Sequence, residues 1–333
     1  MSLLSAERET LERYLPGLDK QLADTPLLEL EKAGSGALDL FRSAGGPALL
    51  VPAEYSGKGA SMVDAVRIQR ALGSRSPSLA IASTMHNFSV ASLVELTAVD
   101  NGFGWAMLMA IAENDWLLSS GFAEGKPGQH ILSPTMRGIP GDGGIVVNGT
   151  KKPCSLTWSM NLMSASVRVT AADGSERMAV VLIPAESEGI ERLPFWGTNV
   201  LAGAESDQVT LHDVFVPEAL IFYPDDTESM DPVQARGFVW FETLVSSSYL
   251  GAATNLALRV LERGRGSEDD RAGLAIELET AAAALESVAA SAADADDNAA
   301  LLARALYVRF ATERTIERVA MAAAALAGGP LAL

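Results

Sequence analysis

The chain has 333 residues, 48% of them hydrophobic, which describes a globular protein with a core large enough for two or three structural units. Its formal net charge is −17 and its 25 Lys and Arg form no extended run, so nucleic acid is excluded as a partner and any anionic ligand must meet a local basic patch. A single cysteine, Cys154, and three widely separated histidines, His86, His130 and His212, exclude an internal disulfide and a metal site.

At the N-terminus, Glu7, Glu9 and Glu12 stand where a signal peptide would carry basic residues, so a cytoplasmic address is expected. The periodicity from Ala6 to about Trp116 is helical. Leu27, Leu28 and Leu30 lead into Leu38, Leu40 and Phe41, and helices are predicted over 62–72, 79–96 and 102–111. Before the first of these runs Val51-Pro52-Ala53-Glu54-Tyr55-Ser56-Gly57-Lys58-Gly59-Ala60-Ser61, a proline turn followed by a loop of small residues. Residues 1–116 therefore read as an N-terminal helical domain.

Residues 117–222 read as a β domain of about six to eight strands. Short β-branched runs are broken by turn residues, with Gly141-Asp142-Gly143-Gly144 and Ala172-Asp173-Gly174-Ser175 as hairpin signals. After an acidic, proline-containing linker over 223–232, residues 233–333 return to helix. Runs over 238–263, 272–293 and 298–327 are rich in Ala, Leu, Glu and Arg and form an antiparallel bundle. Asp296 or Asp297 can cap the last helix and Gly328 can end it. The tract over 319–333 is too short and too weakly apolar to span a bilayer.

Three blocks in this order resemble the acyl-CoA dehydrogenase superfamily over nearly the whole chain. The 51–61 loop resembles the family's Pro-Glu-x-x-Gly-Gly-x-Gly connection. Val147-Asn148-Gly149-Thr150-Lys151-Lys152 and Val209-Thr210-Leu211-His212-Asp213-Val214-Phe215-Val216-Pro217 arrive where the family would put them. The resemblance implies an α+β fold of N-terminal helical domain, central antiparallel β domain and C-terminal helical bundle. It also implies FAD lying between the β domain and the C-terminal helices, and a homodimer or homotetramer, for which the alanine-rich helix faces permit close approach.

Site residues follow from the same resemblance. The first flavin loop, Thr-Glu-Pro in the family, corresponds to Gly121-Phe122-Ala123-Glu124-Gly125-Lys126-Pro127, so Ala123 replaces the threonine hydroxyl. The second, Gly-x-Lys-x-Trp-Ile-Thr, corresponds to Gly149–Ser155. Pro153 then takes the aromatic position, and Cys154 and Ser155 follow, the latter with the hydroxyl that would face the flavin ring. On its residues alone Ser155 is equally a strand-end serine and Cys154 a buried strand residue, while Trp158 either covers the flavin that the resemblance implies or, as the preferred reading, fills the β core. Arg265, in Arg263-Gly264-Arg265-Gly266-Ser267, stands where the family places a cross-subunit flavin contact, with no Phe-Gly beside it, and is otherwise a surface arginine. His86 either orients a substrate or is a satisfied core histidine.

The chain ends at Gly328-Gly329-Pro330-Leu331-Ala332-Leu333, resembling a turn that precedes the base-bearing loop of some members. The resemblance therefore directs the role of catalytic base to Glu242, in Phe241-Glu242-Thr243-Leu244-Val245. Counted back from Leu250-Gly251, Glu242 is one residue out of register, about 100° around a helix.

The expected activity is α,β-desaturation of an acyl thioester on coenzyme A or a carrier protein. Glu242 would take the proton, flavin N5 the hydride, and an electron-accepting flavoprotein or oxygen would complete the cycle. A flavin monooxygenase or oxidase on the same scaffold needs no carboxylate base and is the alternative. A non-catalytic structural homologue is the third reading.

Overall fold

The computed structural model of the chain describes residues 3–99, 102–126, 128, 132–171, 173–224 and 230–328. His130, Pro127 of the first flavin loop, residues 225–229 of the linker and the terminal 329–333 lie outside the described residues.

The first stretch forms α1 (Ser5–Tyr14), α2 (Leu18–Asp24), α3 (Leu27–Leu30), α4 (Ala37–Ser43), α5 (Met62–Arg75), α6 (Pro77–Val99) and α7 (Gly104–Glu113). The 51–61 loop ends in a cap, where the Ser61 hydroxyl accepts the Asp64 N–H at 3.1 Å and starts α5. The last stretch forms α8 (Pro232–Glu262), α9 (Glu268–Ala292) and α10 (Asn298–Ala327). α8 begins earlier than its apolar pattern indicated because Asp231 caps it, accepting the Gln234 N–H at 3.0 Å, and Pro232 suits the first helical position. Asp297 caps α10 and Gly328, at φ 94°, closes it.

The bundle is not confined to the last stretch. α8 packs against α5 and α6 as well as α9 and α10, and α6, apolar around most of its circumference, is buried between α8 and the sheet. The α5–α8 crossing brings backbones together. A Cβ on Gly73 would lie 2.1 Å from the Ser248 carbonyl oxygen, and one on Gly251 2.2 Å from that of Arg70. A glycine inside a helix costs about 0.5–1 kcal/mol, and here it permits that approach.

Between the helical stretches lies an eight-stranded sheet: β1 (Leu118–Gly121), β2 (Arg137–Gly141), β3 (Gly144–Cys154), β4 (Leu162–Thr170), β5 (Glu176–Pro184), β6 (Ile190–Leu193), β7 (Asp207–Pro217) and β8 (Ile221–Phe222). Its order is β6-β7-β3-β2-β4-β5-β8, mostly antiparallel. The exceptions position the site. β1 and β2 both run parallel to β4, with β1 pairing Leu162–Ala165 and β2 pairing Arg168 and Val169. The chain therefore leaves the sheet after Gly121 and rejoins it at Arg137, opening a notch opposite Ser166 and Val167. Among the described residues no helix is long and apolar enough to cross a membrane.

Candidate active site

The loop that leaves the sheet after β1 is pinned by one buried ion pair. Lys151, on β3, and Glu124, in the loop, have side chains 0% and 2% exposed, with Nζ 2.8 Å from Oε1. Lys151 also donates to Ser166 Oγ at 3.1 Å, so its ammonium fills the notch between β1 and β2. The Glu124 carboxylate accepts from the Thr135 N–H and hydroxyl and the Met136 N–H, joining the two ends of the loop. The Lys152 N–H donates to the Ala123 carbonyl at 2.8 Å, adding a backbone tie. Burial pushes the Lys151 pKa down, and Glu124 opposes that shift. This pair was missed in the sequence, although both charges stand in the two quoted flavin segments amid residues that the sheet buries.

The second segment is shaped by Pro153. Proline cannot donate to a ladder, and the β3–β7 register shifts between Lys151 and Cys154. Beyond that bulge Ser155 is buried. Its carbonyl accepts the Ser119 hydroxyl at 2.6 Å, and its Oγ lies 3.0 Å from Ser206 Oγ. Two hydroxyls sharing one hydrogen bond leave one proton over, a donor suited to a ring nitrogen or oxygen. Phe122, Ala123 and Pro153 are half-buried, whereas Gly121 is buried and its Cβ would lie 2.2 Å from Met163 Cε. A free hydroxyl proton beside half-buried apolar surface fits the edge and face of a flavin ring.

Phe122 of this wall meets two further phenylalanines from separate elements. Phe88 of α6 lies 5.3 Å from Phe241 of α8 and 6.4 Å from Phe122, centroid to centroid, and all three are half-buried. A shallow recess of about 270 Å³ lies elsewhere, between Ser133, Pro134, Arg168, Arg177 and Met178. It has neither the hydroxyl nor the rings, and the candidate site is taken as the Ser155 wall and the half-buried edge of the three rings, termed the phenylalanine cleft.

The remaining candidates fall apart in space. Glu242 is turned to α10, where Arg309 Nε lies 3.0 Å from its Oε2 and NH1 donates to Oε1 at 3.2 Å. Burial pushes its pKa up and Arg309 pulls it back. The register count thus has a physical outcome: Phe241 faces the cleft, and the glutamate, about 100° further round the helix, does not. His86 is fully buried. Its Nδ1 accepts the Leu118 N–H at 3.0 Å, so Nε2 carries the proton and donates to the Pro47 carbonyl at 3.0 Å. With both ring nitrogens engaged, it ties α6 to β1 and offers a substrate no edge.

Cys154 is fully buried and its thiol is pushed up to about 12 by burial, which makes it a strand residue rather than a nucleophile. Trp158 does not fill the β core. It is 51% exposed and donates its indole N–H to Asp207 at 2.8 Å. Arg265 is exposed in the turn after α8, roughly 30 Å along that helix from Phe241 at about 1.5 Å per residue, so it cannot reach the cleft of its own chain.

No family model matches the chain. It is 47% identical over 334 residues to isobutylamine N-hydroxylase of Streptomyces viridifaciens, covering 99% of this chain and 88% of that protein. It is 28% identical over 205 residues to a dibenzothiophene monooxygenase of Rhodococcus erythropolis, covering 60% of this chain and 48% of the relative. In fold it is similar to KijD3 solved with FMN and a dTDP-linked amino-keto sugar, with a TM-score of 0.84 at 19% identity over 99% and 88% of the two chains. These relatives overturn the expected desaturation of an acyl thioester, since their names describe an N-hydroxylase and a monooxygenase. The geometry agrees with that correction, because the helix position that would carry the α-proton base holds Phe241.

Proposed function

The chain belongs to the acyl-CoA dehydrogenase-like flavoproteins as a divergent member and a flavin-dependent oxidoreductase, and from that premise we propose that it is an oxygen-consuming N-hydroxylase of a small amine that works with FMN. The observation that carries the reading is the near-full-length identity to isobutylamine N-hydroxylase. FMN replaces the FAD implied by the earlier resemblance, and the FMN named with KijD3 supports the choice.

When bound, the reduced flavin supplies the two electrons that let one oxygen atom of O2 reach the substrate and the other leave as water. The balance is amine plus O2 plus reduced flavin giving hydroxylamine, water and oxidised flavin: a nitrogen–oxygen bond forms, the O–O bond breaks and one N–H becomes O–H. The chain's own residues hold and exclude. Glu124 and Lys151 fix the loop that starts at Phe122, Ser155 with Ser206 presents one hydroxyl proton to the ring, and Phe88, Phe122 and Phe241 keep water from the reacting nitrogen. No residue is required to remove a proton from carbon.

The reading includes assembly through α8 and α10 as a homodimer or dimer of dimers, supported by Tyr307, Phe310 and Met321 on α10, which are 76%, 50% and 67% exposed. Arg265 would then reach a flavin only from a second copy. Light scattering that shows monomer alone at micromolar concentration refutes this.

The test of the activity supplies FMN, a nicotinamide-dependent flavin reductase, isobutylamine and ¹⁸O2, and looks for the hydroxylamine by mass spectrometry. One labelled oxygen per product is expected. Hydrogen peroxide without hydroxylamine, or anaerobic flavin reduction by an acyl-CoA, overturns the reading.

A further inference from the structure

A chain with a net charge of −17 repels anions at long range, so an anionic ligand needs a local basic patch. The sheet builds one where the loop that leaves after β1 returns to it. Arg137 of β2 and Arg168 of β4 are direct partners in the parallel ladder, on strands about 4.8 Å apart. Both point away from the core, since Gly138, Val167 and Val169 beside them are buried while Arg137 is exposed and Arg168 half-buried. Two residues before Arg137, Thr135 Oγ accepts from Lys126 Nζ at 2.9 Å, which brings a third cation to this corner. Arg177 of β5 borders it with its guanidinium 3.5 Å from the Tyr223 ring centroid, a stacking that leaves the N–H edge of the fork open.

The acidic side of this corner is thin. Glu176 lies 3.2 Å from Arg168 and is half-exposed. Glu124 is buried with Lys151, and Asp173 is turned into its own hairpin tip, where it accepts the Ser175 N–H and hydroxyl. Asp213, two strands from Arg137, is bound by Asn148. Like charges directly opposite on neighbouring strands repel, and a single exposed carboxylate offsets only part of that. Between the cations lies the recess of about 270 Å³, lined by Arg168, Arg177 and Glu176 with Leu132, Pro134 and Met178. It is tied to the flavin wall. Pro134 leads straight into Thr135 and Met136, whose N–H groups hold Glu124, and Arg168 shares a face of β4 with Ser166, which meets Lys151 roughly 7 Å away along the strand.

We propose that this recess is a phosphate site that takes a phosphate monoester. The arginine forks suit the oxygens of a tetrahedral anion, and Leu132, Pro134 and Met178 offer apolar surface to the carbon part of the ester. Two sources share that chemistry, the phosphate of FMN and that of a separate ester, and the test tells them apart.

Titrations of the full chain compare FMN with riboflavin by flavin fluorescence, and ³¹P NMR line broadening follows ribose 5-phosphate. Arg137→Gln and Arg168→Gln should each weaken the phosphate ligand about tenfold, the loss of one charged hydrogen bond, with circular dichroism and Tm unchanged. Glu176→Gln, which removes the competing carboxylate, should tighten it about threefold. If the arginine variants lose FMN and keep riboflavin, the phosphate is the cofactor's own. If both flavins are indifferent and ribose 5-phosphate binding falls, the phosphate belongs to a separate ester. Variants that bind FMN and ribose 5-phosphate as the parent does, or that lose riboflavin as much as FMN, overturn the inference. None of these readouts measures turnover, so failure of the N-hydroxylase reading leaves them in place.

Discussion

Replacing Lys151 with methionine removes the cation that fills the notch between β1 and β2 and takes from the Glu124 carboxylate, 2% exposed, the ammonium 2.8 Å away. Thr135 and Met136 still donate to it, but hydrogen bonds alone do not restore the lost Coulomb partner. Breaking one side of a buried pair costs about 3–5 kcal/mol. At roughly 2.1 cal/mol/K of unfolding entropy per residue, the 333-residue chain loses about 0.7 kcal/mol/K, so the Tm should fall by about 4–7 °C. The same change should free the loop that begins at Phe122 and weaken FMN binding. Thermal scanning calorimetry gives the first quantity and fluorescence titration with FMN the second. The decisive variant is Glu124→Gln with Lys151→Met, which replaces the pair by neutral groups. It should melt above Lys151→Met alone, with a coupling of about 1–3 kcal/mol. Additive losses, or a Lys151→Met protein with unchanged Tm and FMN affinity, would refute the claim that this pair anchors the loop.

His86 supplies a pH signature: its folded pKa, lowered by burial to about 4 from 6.5, makes the unfolded chain bind a proton that the folded chain refuses. Stability should therefore fall as pH drops from 6.5 to 4, by about 3 kcal/mol at about 1.36 kcal/mol per pH unit, and urea titrations of His86→Gln should lack that component. Glu242→Gln should keep oxygen-dependent hydroxylation within about threefold and lose about 1–3 kcal/mol of stability through the weakened Arg309 contact; abolished turnover with an intact fold would return the glutamate to the chemistry. Asn87 is fully buried and neither amide atom has a hydrogen-bond partner among the described residues, so Asn87→Leu should hold or raise the Tm by relieving a cost of about 1–3 kcal/mol, and a marked fall in calorimetry would reveal a bound water that the amide serves.

Local patterns were enough to order the chain. Helical periodicity, the Gly-Asp turn signals and the caps at Asp297 and Gly328 act over a few residues, so α5 to α7, the strands after Trp116 and α10 were legible to within a few positions. The order of the three family segments carried the fold and the expectation of a flavin, but not the reaction, since the desaturation it implied is overturned by the relatives. What the sequence could not decide was which face each side chain presents and which distant charge meets it. Glu242 and Phe241 are neighbours in the chain, yet only the packing of α8 against both α6 and α10 sends the ring to the cleft and the carboxylate to Arg309. Glu124 and Lys151 are separated by a loop and two strands and become a pair because β1 and β2 share one edge of β4 and leave a notch between them. His86 reads as a candidate ligand until the fold supplies Leu118 and Pro47 to its two nitrogens. Secondary structure is fixed by neighbours a turn or a strand away; a site is fixed by contacts between elements, which exist only once the core has closed.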